Sequence, residues 1–265
     1  MRETYVTSEL LIEKRPVNGS IYRFGNLVLT RWAPRLARFR WHDMRPKDRP
    51  VVFAELTGPR KVSFACTHTT AYQKYRSSRE RQLRELKMAL EGFGAESYCI
   101  LGDLNLHDRC EDKVILDLGL LDAWAETHFQ SQGPFSDQHE GYTFDAERNP
   151  FISNYYIPGE VRRMRLDRIL FSPNLPLQPS SPCIMWADSA INERGIFISD
   201  HFGLCITMRP CATGFTGDPK VREILQENSE RAPVDYRRSL YANTVSIGLY
   251  AAWLLGRAPF YAMGF

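Results

Sequence analysis

The sequence predicts an α/β fold. Three observations lead there: short apolar β-prone runs, an amphipathic helix set between two of them, and polar loops rich in Asp, Asn and His after the apolar runs. At 265 residues the chain suffices for one large core with appendages. Its 43% hydrophobic and 25% charged residues exclude wholesale disorder and a polytopic membrane protein.

The elements follow in order. Ile21 to Trp32 (IYRFGNLVLTRW) is a β-rich apolar stretch, and Val51 to Leu56 with Lys61 to His68 flank the turn Thr57-Gly58-Pro59-Arg60 as a hairpin. In the second arm Val62, Phe64 and Cys66 alternate with Lys61, Ser63 and Ala65, the pattern of a strand with one buried face, and His68 stands at its end near the sheet rim. A helix then opens at Ser77 or Ser78, repeats Leu83, Leu86 and Leu90 at helical spacing, and stops at Gly92 and Gly94. Tyr98 to Leu101 is a buried strand that breaks at Gly102. A helix over Asp112 to Leu118, a polar loop over 130–140 and a strand-like run from Met164 to Phe171 come next.

Pro173, Pro176, Pro179, Ser180, Ser181 and Pro182 predict a loop, and GIFISDHFGLCITM two strand-like runs interrupted by Ser199-Asp200-His201. The expected organisation is a domain over residues 1–210, a linker with a short polar helix from Val221 to Glu230 within 211–239, and an apolar tail over 240–265. The uninterrupted run Leu240 to Leu255 is shorter than the ~20 residues of a spanning helix, so a membrane span, an interfacial anchor and a docking helix all stay open. The six Cys form no C-x-x-C pair and the N-terminus has no apolar signal region, which predicts a reducing, intracellular setting, nuclear or cytoplasmic.

Three short motifs each place acidic, amide or imidazole groups immediately after a predicted strand: Gly102-Asp103-Leu104-Asn105, Arg165-Leu166-Asp167-Arg168 and Ser199-Asp200-His201. Metal-assisted phosphoester hydrolysis needs such a set: carboxylates to hold Mg²⁺ or deprotonate water, an amide for the phosphate, and an imidazole oriented by a carboxylate. His68 adds a fourth polar strand end. Singly, each motif also suits a turn, a surface pair or an ion-paired strand face.

Taken together, Thr67-His68, GDLN at 102–105, RLDRI at 165–169 and SDHFGL at 199–204 resemble the endonuclease/exonuclease/phosphatase superfamily of metal-dependent phosphodiesterases. The likeness spans roughly residues 20–208 and is nearest to the tyrosyl-DNA phosphodiesterase 2 branch, through GDLNLHDR, Asp122-Ala123-Trp124, Thr143-Phe144-Asp145 and Asn149. It implies a four-layered α/β sandwich of two packed sheets flanked by helices. Asp103 would then position or deprotonate water, or protonate the leaving group, and would share the metal, Mg²⁺ or Mn²⁺, with Asp200. Asn105 would hold the phosphate, His201 would stabilise the phosphorane with Asp167 orienting it, and His68 would add a phosphate contact or an acid.

Two departures stand out. His107 occupies the position of a phosphate-binding Arg in that branch, and residues 1–30 contain no QE string for the Glu that ligates Mg²⁺. Glu3, Glu9 and Glu13 are the carboxylates upstream of Tyr22. Three explanations stay open: a chain incomplete at its N-terminus, a degenerate member that binds without cutting, and a replacement ligand from elsewhere; weak catalysis by the chain as given is the expectation.

Of the 34 basic residues 27 are Arg, the side chain that grips phosphate bidentately, although a bias in codon usage explains the excess equally well. Residues 31–49 interleave Arg38, Arg40 and other cations with Trp32, Phe39 and Trp41, which suits single-stranded nucleic acid, and equally an irregular surface loop. The expected substrate is a nucleic-acid end, with a protein-linked end included, bound through His107, Arg38, Arg40 and Trp41. A sphingomyelinase-like phospholipid phosphodiesterase with membrane contact through the tail, and a non-catalytic binding module, are the alternatives.

Overall fold

The computed structural model describes residues 6–7, 13–17, 20–24, 26, 28–30, 37–44, 49–56, 61–129, 141–153, 163–193 and 195–230. Its strands and helices run β1 (Val6–Thr7), β2 (Glu13–Val17), β3 (Ser20–Phe24), β4 (Leu29–Thr30), β5 (Ala37–Met44), β6 (Arg49–Leu56), β7 (Val62–Thr67), α1 (Arg76–Gly92) and β8 (Tyr98–Asp103). Then come α2 (Lys113–Asp117), β9 (Leu121–Asp122), α3 (Ala123–His128), β10 (Phe144–Asp145), α4 (Pro150–Ser153), β11 (Arg163–Met164) and β12 (Asp167–Phe171). The last are β13 (Leu175–Pro179), β14 (Ile184–Trp186), β15 (Gly203–Cys205), β16 (Met208–Phe215) and α5 (Pro219–Ser229).

Six strands form a mixed sheet in the order β5-β6-β7-β8-β12-β9. The expected hairpin is β6–β7, antiparallel from Val51↔Thr67 to Leu56↔Val62, and β7 and β8 run parallel with α1 between them in the chain. Strand periodicity sends alternate side chains to opposite faces. Val51, Phe53, Ala65, Ile100 and Leu170 pack with Leu83, Leu86 and Leu90 of α1. Val62, Phe64, Cys99, Leu101, Ile169 and Phe171 turn the other way, to Leu175 and Leu177 of β13 and Met208 and Phe215 of β16. So β7 is buried on both faces, unlike the half-buried strand expected, because a helix covers one side and a second sheet layer the other.

Other expectations change for physical reasons. α1 begins at Arg76 with Tyr75 at its N-cap and no side-chain cap, so neither Ser77 nor Ser78 caps it. Tertiary bonds fix its start instead: Arg76 Nη2 donates to the Cys110 carbonyl at 3.0 Å, and Arg79 Nη1 to the Tyr72 carbonyl at 2.6 Å. The Pro-rich loop contains β13, paired with β16 through a register shift between Leu175 and Leu177; prolines are tolerated in a strand with one ladder. Ile196 to Ile198 form no strand. The boundary expected at Pro210 falls inside β16, and α5 is no linker helix: Asp218 caps it by accepting from Lys220 N at 2.8 Å, and Val221 and Leu225 pack on Ala125.

Residues 37–44, read alternatively as part of an irregular loop, are a strand paired with β6. The loop at 130–140 and the tail at 240–265 lie outside the described residues. Among the described residues no helix is long and apolar enough to cross a membrane. All six cysteines are free.

Candidate active site

The topology brings the predicted groups to one rim. β7 and β8 are parallel, so His68, just past β7, and Asp103, the last residue of β8, emerge on the same side. β12 is antiparallel to β8 and pairs Asp167 with Asp103, so Asp167 reaches that rim from the start of its strand rather than from the end. Gly102 permits the approach: its φ is +129°, and a Cβ there would lie 2.0 Å from the Thr67 carbonyl oxygen.

Each group is held from behind. Asn105, at φ 48°, donates its backbone N–H to Asp103 Oδ1 at 2.9 Å and its amide Nδ2 to Asp103 Oδ2 and to the Thr69 carbonyl, both at 3.1 Å. Both amide hydrogens are thus engaged, and Asn105 positions Asp103. Thr143 Oγ1 accepts from the backbone N–H of Asp167 at 3.0 Å and of Leu166 at 3.2 Å. His201 arrives on a loop: Asn149 Nδ2 donates to the Ser199 carbonyl at 2.8 Å, Phe202 N to the Thr143 carbonyl at 2.7 Å, and the Phe144 ring stands edge-on to the imidazole at 5.3 Å.

The functional atoms converge. His201 Nδ1 is 2.7 Å from Asp167 Oδ2, His68 Nε2 is 3.2 Å from Asp103 Oδ2, and one ligand atom each of Asp103, Asp167 and His201 lie within 4.8 Å of one another. Burial, then the Asp167 charge, pushes the Asp103 carboxyl up to about 6, against the opposing effects of His201, the Asn105 N–H and Arg49. For His201 burial acts downward, but the hydrogen bond and charge of Asp167, then the charges of Asp103 and Asp200, outweigh it and push the imidazole up to about 9. His68 is held below the usual imidazole value by burial, then by the charges of Arg49 and His201. Near pH 7 the rim therefore combines an imidazolium, a neutral imidazole and a carboxyl close to its titration point.

Not every predicted residue joins. Asp200 is outside the three-residue group; its Oδ1 accepts from Ser199 Oγ at 3.2 Å, and it acts on His201 through charge. Asp167, expected to orient His201, does so through the 2.7 Å bond and is also the second carboxylate of that group. The backbone N–H of His107 donates to Glu111 Oε1 at 3.2 Å. Arg38, Arg40 and Trp41 lie in β5 opposite Glu55, Phe53 and Val52, and their side chains lie outside the description. Three buried arginines are structural: Arg79 clamps Glu111 with Nε at 2.9 Å and Nη2 at 2.7 Å, while Arg165 and Arg168 share Asp122 at 2.8 and 2.7 Å. Part of the Arg excess is therefore core chemistry.

Sequence reasoning missed Arg49, Thr143 and Asn149 as parts of this site. Arg49 opens β6, whose start lies beside the end of β7, and its charge reaches both Asp103 and His68. The family motif contained Thr143 and Asn149, but only the fold shows what they hold.

The profile of the endonuclease/exonuclease/phosphatase family matches residues 4–201. The chain belongs to that family. Among solved structures, D. rerio tyrosyl-DNA phosphodiesterase 2 (TDP2) complexed with single-strand DNA product superposes with a TM-score of 0.52 at 19% identity, over 76% of this chain and 77% of that one. An endonuclease/exonuclease/phosphatase family protein from Leptotrichia buccalis gives 0.54 at 16% identity, over 79% and 72%. One from Beutenbergia cavernae gives 0.51 at 16%, over 79% and 54%. At these identities the likeness is one of fold. No curated protein matches the sequence.

Proposed function

We propose that this family member hydrolyses phosphodiester bonds at nucleic-acid ends with the aid of a divalent cation. The observation that carries the reading is the meeting of Asp103, Asp167, His201 and His68 at one rim. The single-strand DNA product in the D. rerio relative supports the substrate class.

The donor set fits a hard cation. Asp103 and Asp167 crowd two carboxylates together, which helps push Asp103 up, and Mg²⁺ or Mn²⁺ is held by one or two carboxylates with waters. Asp103 and Asp167 would hold the ion, which would neutralise charge on the phosphate oxygens. The rest falls to the chain itself. The His201 imidazolium, oriented by Asp167, faces the charge that grows on the non-bridging oxygens. Asp103 would position or deprotonate the attacking water, and Asn105 fixes both of its oxygens. His68, neutral, donates Nε2–H to Asp103 in the matching tautomer and keeps the carboxyl in place.

The test is cleavage of a 5′-tyrosyl single-stranded oligonucleotide in Mg²⁺. Asp103→Asn and His201→Ala are expected to lower the rate by about 10²- to 10⁴-fold, the usual worth of acid–base groups. Hydrolysis at the wild-type rate by either folded variant would refute the assignment.

A further inference from the structure

β14 and β15 form a two-stranded ribbon beside the His201 loop. Ile184 pairs with Cys205 and Trp186 with Gly203, so these four residues share one face. That face is open to solvent: Ile184 is 55% and Trp186 64% exposed, and Cys205 is exposed too. The adjoining 191–198 segment, closed by Ile191 N donating to the Ile196 carbonyl at 2.7 Å, adds Ile191, Ile196 and Ile198 at 60%, 45% and 62% exposure. Both pieces are anchored firmly. Phe197 packs on Phe202 at 5.9 Å, and Arg148 stands over the Phe202 ring at 5.0 Å while binding Asp188 at 2.6 Å. Five large apolar side chains exposed to this degree amount to an area on the order of 600 Å², the scale of patches that mark interaction sites.

The end of the described chain indicates what covers this face. α5 closes at Ser229, and beyond it the sequence holds a ten-residue polar stretch, 230–239, followed by the apolar run 240–255, LYANTVSIGLYAAWLL, without a charge. α5 starts close to the patch. Its Val221 and Leu225 pack on Ala125 of α3, and Thr127 of α3 accepts the backbone N–H of Cys183, the residue before Ile184, at 3.1 Å. The chain leaves α5 at Ser229, so the tether must run back along that helix, about 16 Å, and past α3, roughly 10–12 Å, while ten residues reach up to ~33 Å.

We propose that residues 240–255 of the same chain dock on the exposed face of the β14–β15 ribbon and the 191–198 segment. A tethered segment competes at an effective concentration on the order of millimolar, far above that of a second copy in dilute solution. The run is also too short for a bilayer span of ~20 residues. Docked there, it borders the loop that carries His201.

The test uses the full chain carrying Cys211→Ser, so that Cys205 is the exposed thiol; Cys66 is half-buried with its thiol pushed up to about 11, and the other three are buried. Cys205 is labelled with a benzophenone maleimide, irradiated at micromolar protein, and the cross-linked tryptic peptides are mapped. The expected product is an intramolecular link to the 239–257 peptide. Ile184→Asp, and independently Ile198→Asp, both at exposed positions, should lower its yield about tenfold. Links to other parts of the chain, links to a second copy, no protein link at all, or a yield indifferent to both substitutions would overturn the proposal.

Discussion

Gly102→Ala is expected to break the rim from within. A Cβ at position 102 would sit 2.0 Å from the Thr67 carbonyl oxygen, and the φ of +129° is one that an L side chain rarely adopts. Relief requires β7 and β8 to part by more than an ångström. That movement stretches three bonds past the strand ends: Thr69 N to the Asp103 carbonyl at 3.0 Å, Thr69 Oγ1 to the Leu104 carbonyl at 2.6 Å, and Asn105 Nδ2 to the Thr69 carbonyl at 3.1 Å. At about 0.5–1.5 kcal/mol per bond and about 1–2 kcal/mol for the backbone, the loss is ~3–6 kcal/mol. For a domain of this size that is a fall in melting temperature of roughly 6–24 °C. The internal control is Gly92→Ala, at the end of α1, where a Cβ meets nothing within 4 Å and Ala gains up to about 1 kcal/mol in helix preference. Thermal unfolding of the two variants side by side decides it. A Gly102→Ala protein that melts with the wild type would refute the close approach of β7 and β8.

Three further outcomes follow from buried groups. Burial pushes Glu126 up to about 7, although its Oε2 accepts from Asp218 N at 2.8 Å, so the fold favours the protonated acid. Its contribution is complete below about pH 4.5 and is lost as pH rises through 7, so Glu126→Gln should gain up to ~3 kcal/mol on the wild type by pH 8 and little at pH 5 in urea unfolding. Arg79→Ala leaves Glu111 buried without its clamp and should cost about 3–5 kcal/mol, read from the same denaturation curves. Thr143→Val removes the acceptor of the Asp167 and Leu166 N–H groups; a loss of ~2–4 kcal/mol is expected, with a fall in turnover that exceeds any fall in substrate binding.

Three of the four rim residues were legible because strand ends mark themselves, and His201 through its Ser199-Asp200-His201 motif. Apolar runs stop at His68 and Asp103, another begins after Asp167, and a parallel or antiparallel neighbour then sets which end meets which. Asp167 was legible as the partner that orients His201, and the 2.7 Å bond between them agrees. Its meeting with Asp103 was not, because only the pairing of β12 with β8 brings the two carboxylates together. The roles of Thr143 and Asn149 were hidden for a like reason, since their partners lie 24 and 50 residues away. RLDRI reads in sequence like an ion-paired surface strand, yet Arg165 and Arg168 are buried against Asp112 and Asp122. In β13 the prolines misled because a single ladder can accommodate them, and at α1 long-range arginine bonds replaced the serine cap.

Cleavage of phosphodiesters with a divalent cation is the activity proposed for the rim of Asp103, Asp167, His201 and His68. Single-turnover cleavage of a 5′-tyrosyl single-stranded oligonucleotide tests it most directly, run on the wild type in EDTA, after Mg²⁺ is restored, and on Asp167→Asn in Mg²⁺. Cleavage is expected only for the wild type with Mg²⁺, with the variant slower by about 10²-fold or more. Equal cleavage in EDTA, or wild-type cleavage by a folded Asp167→Asn protein, would contradict it.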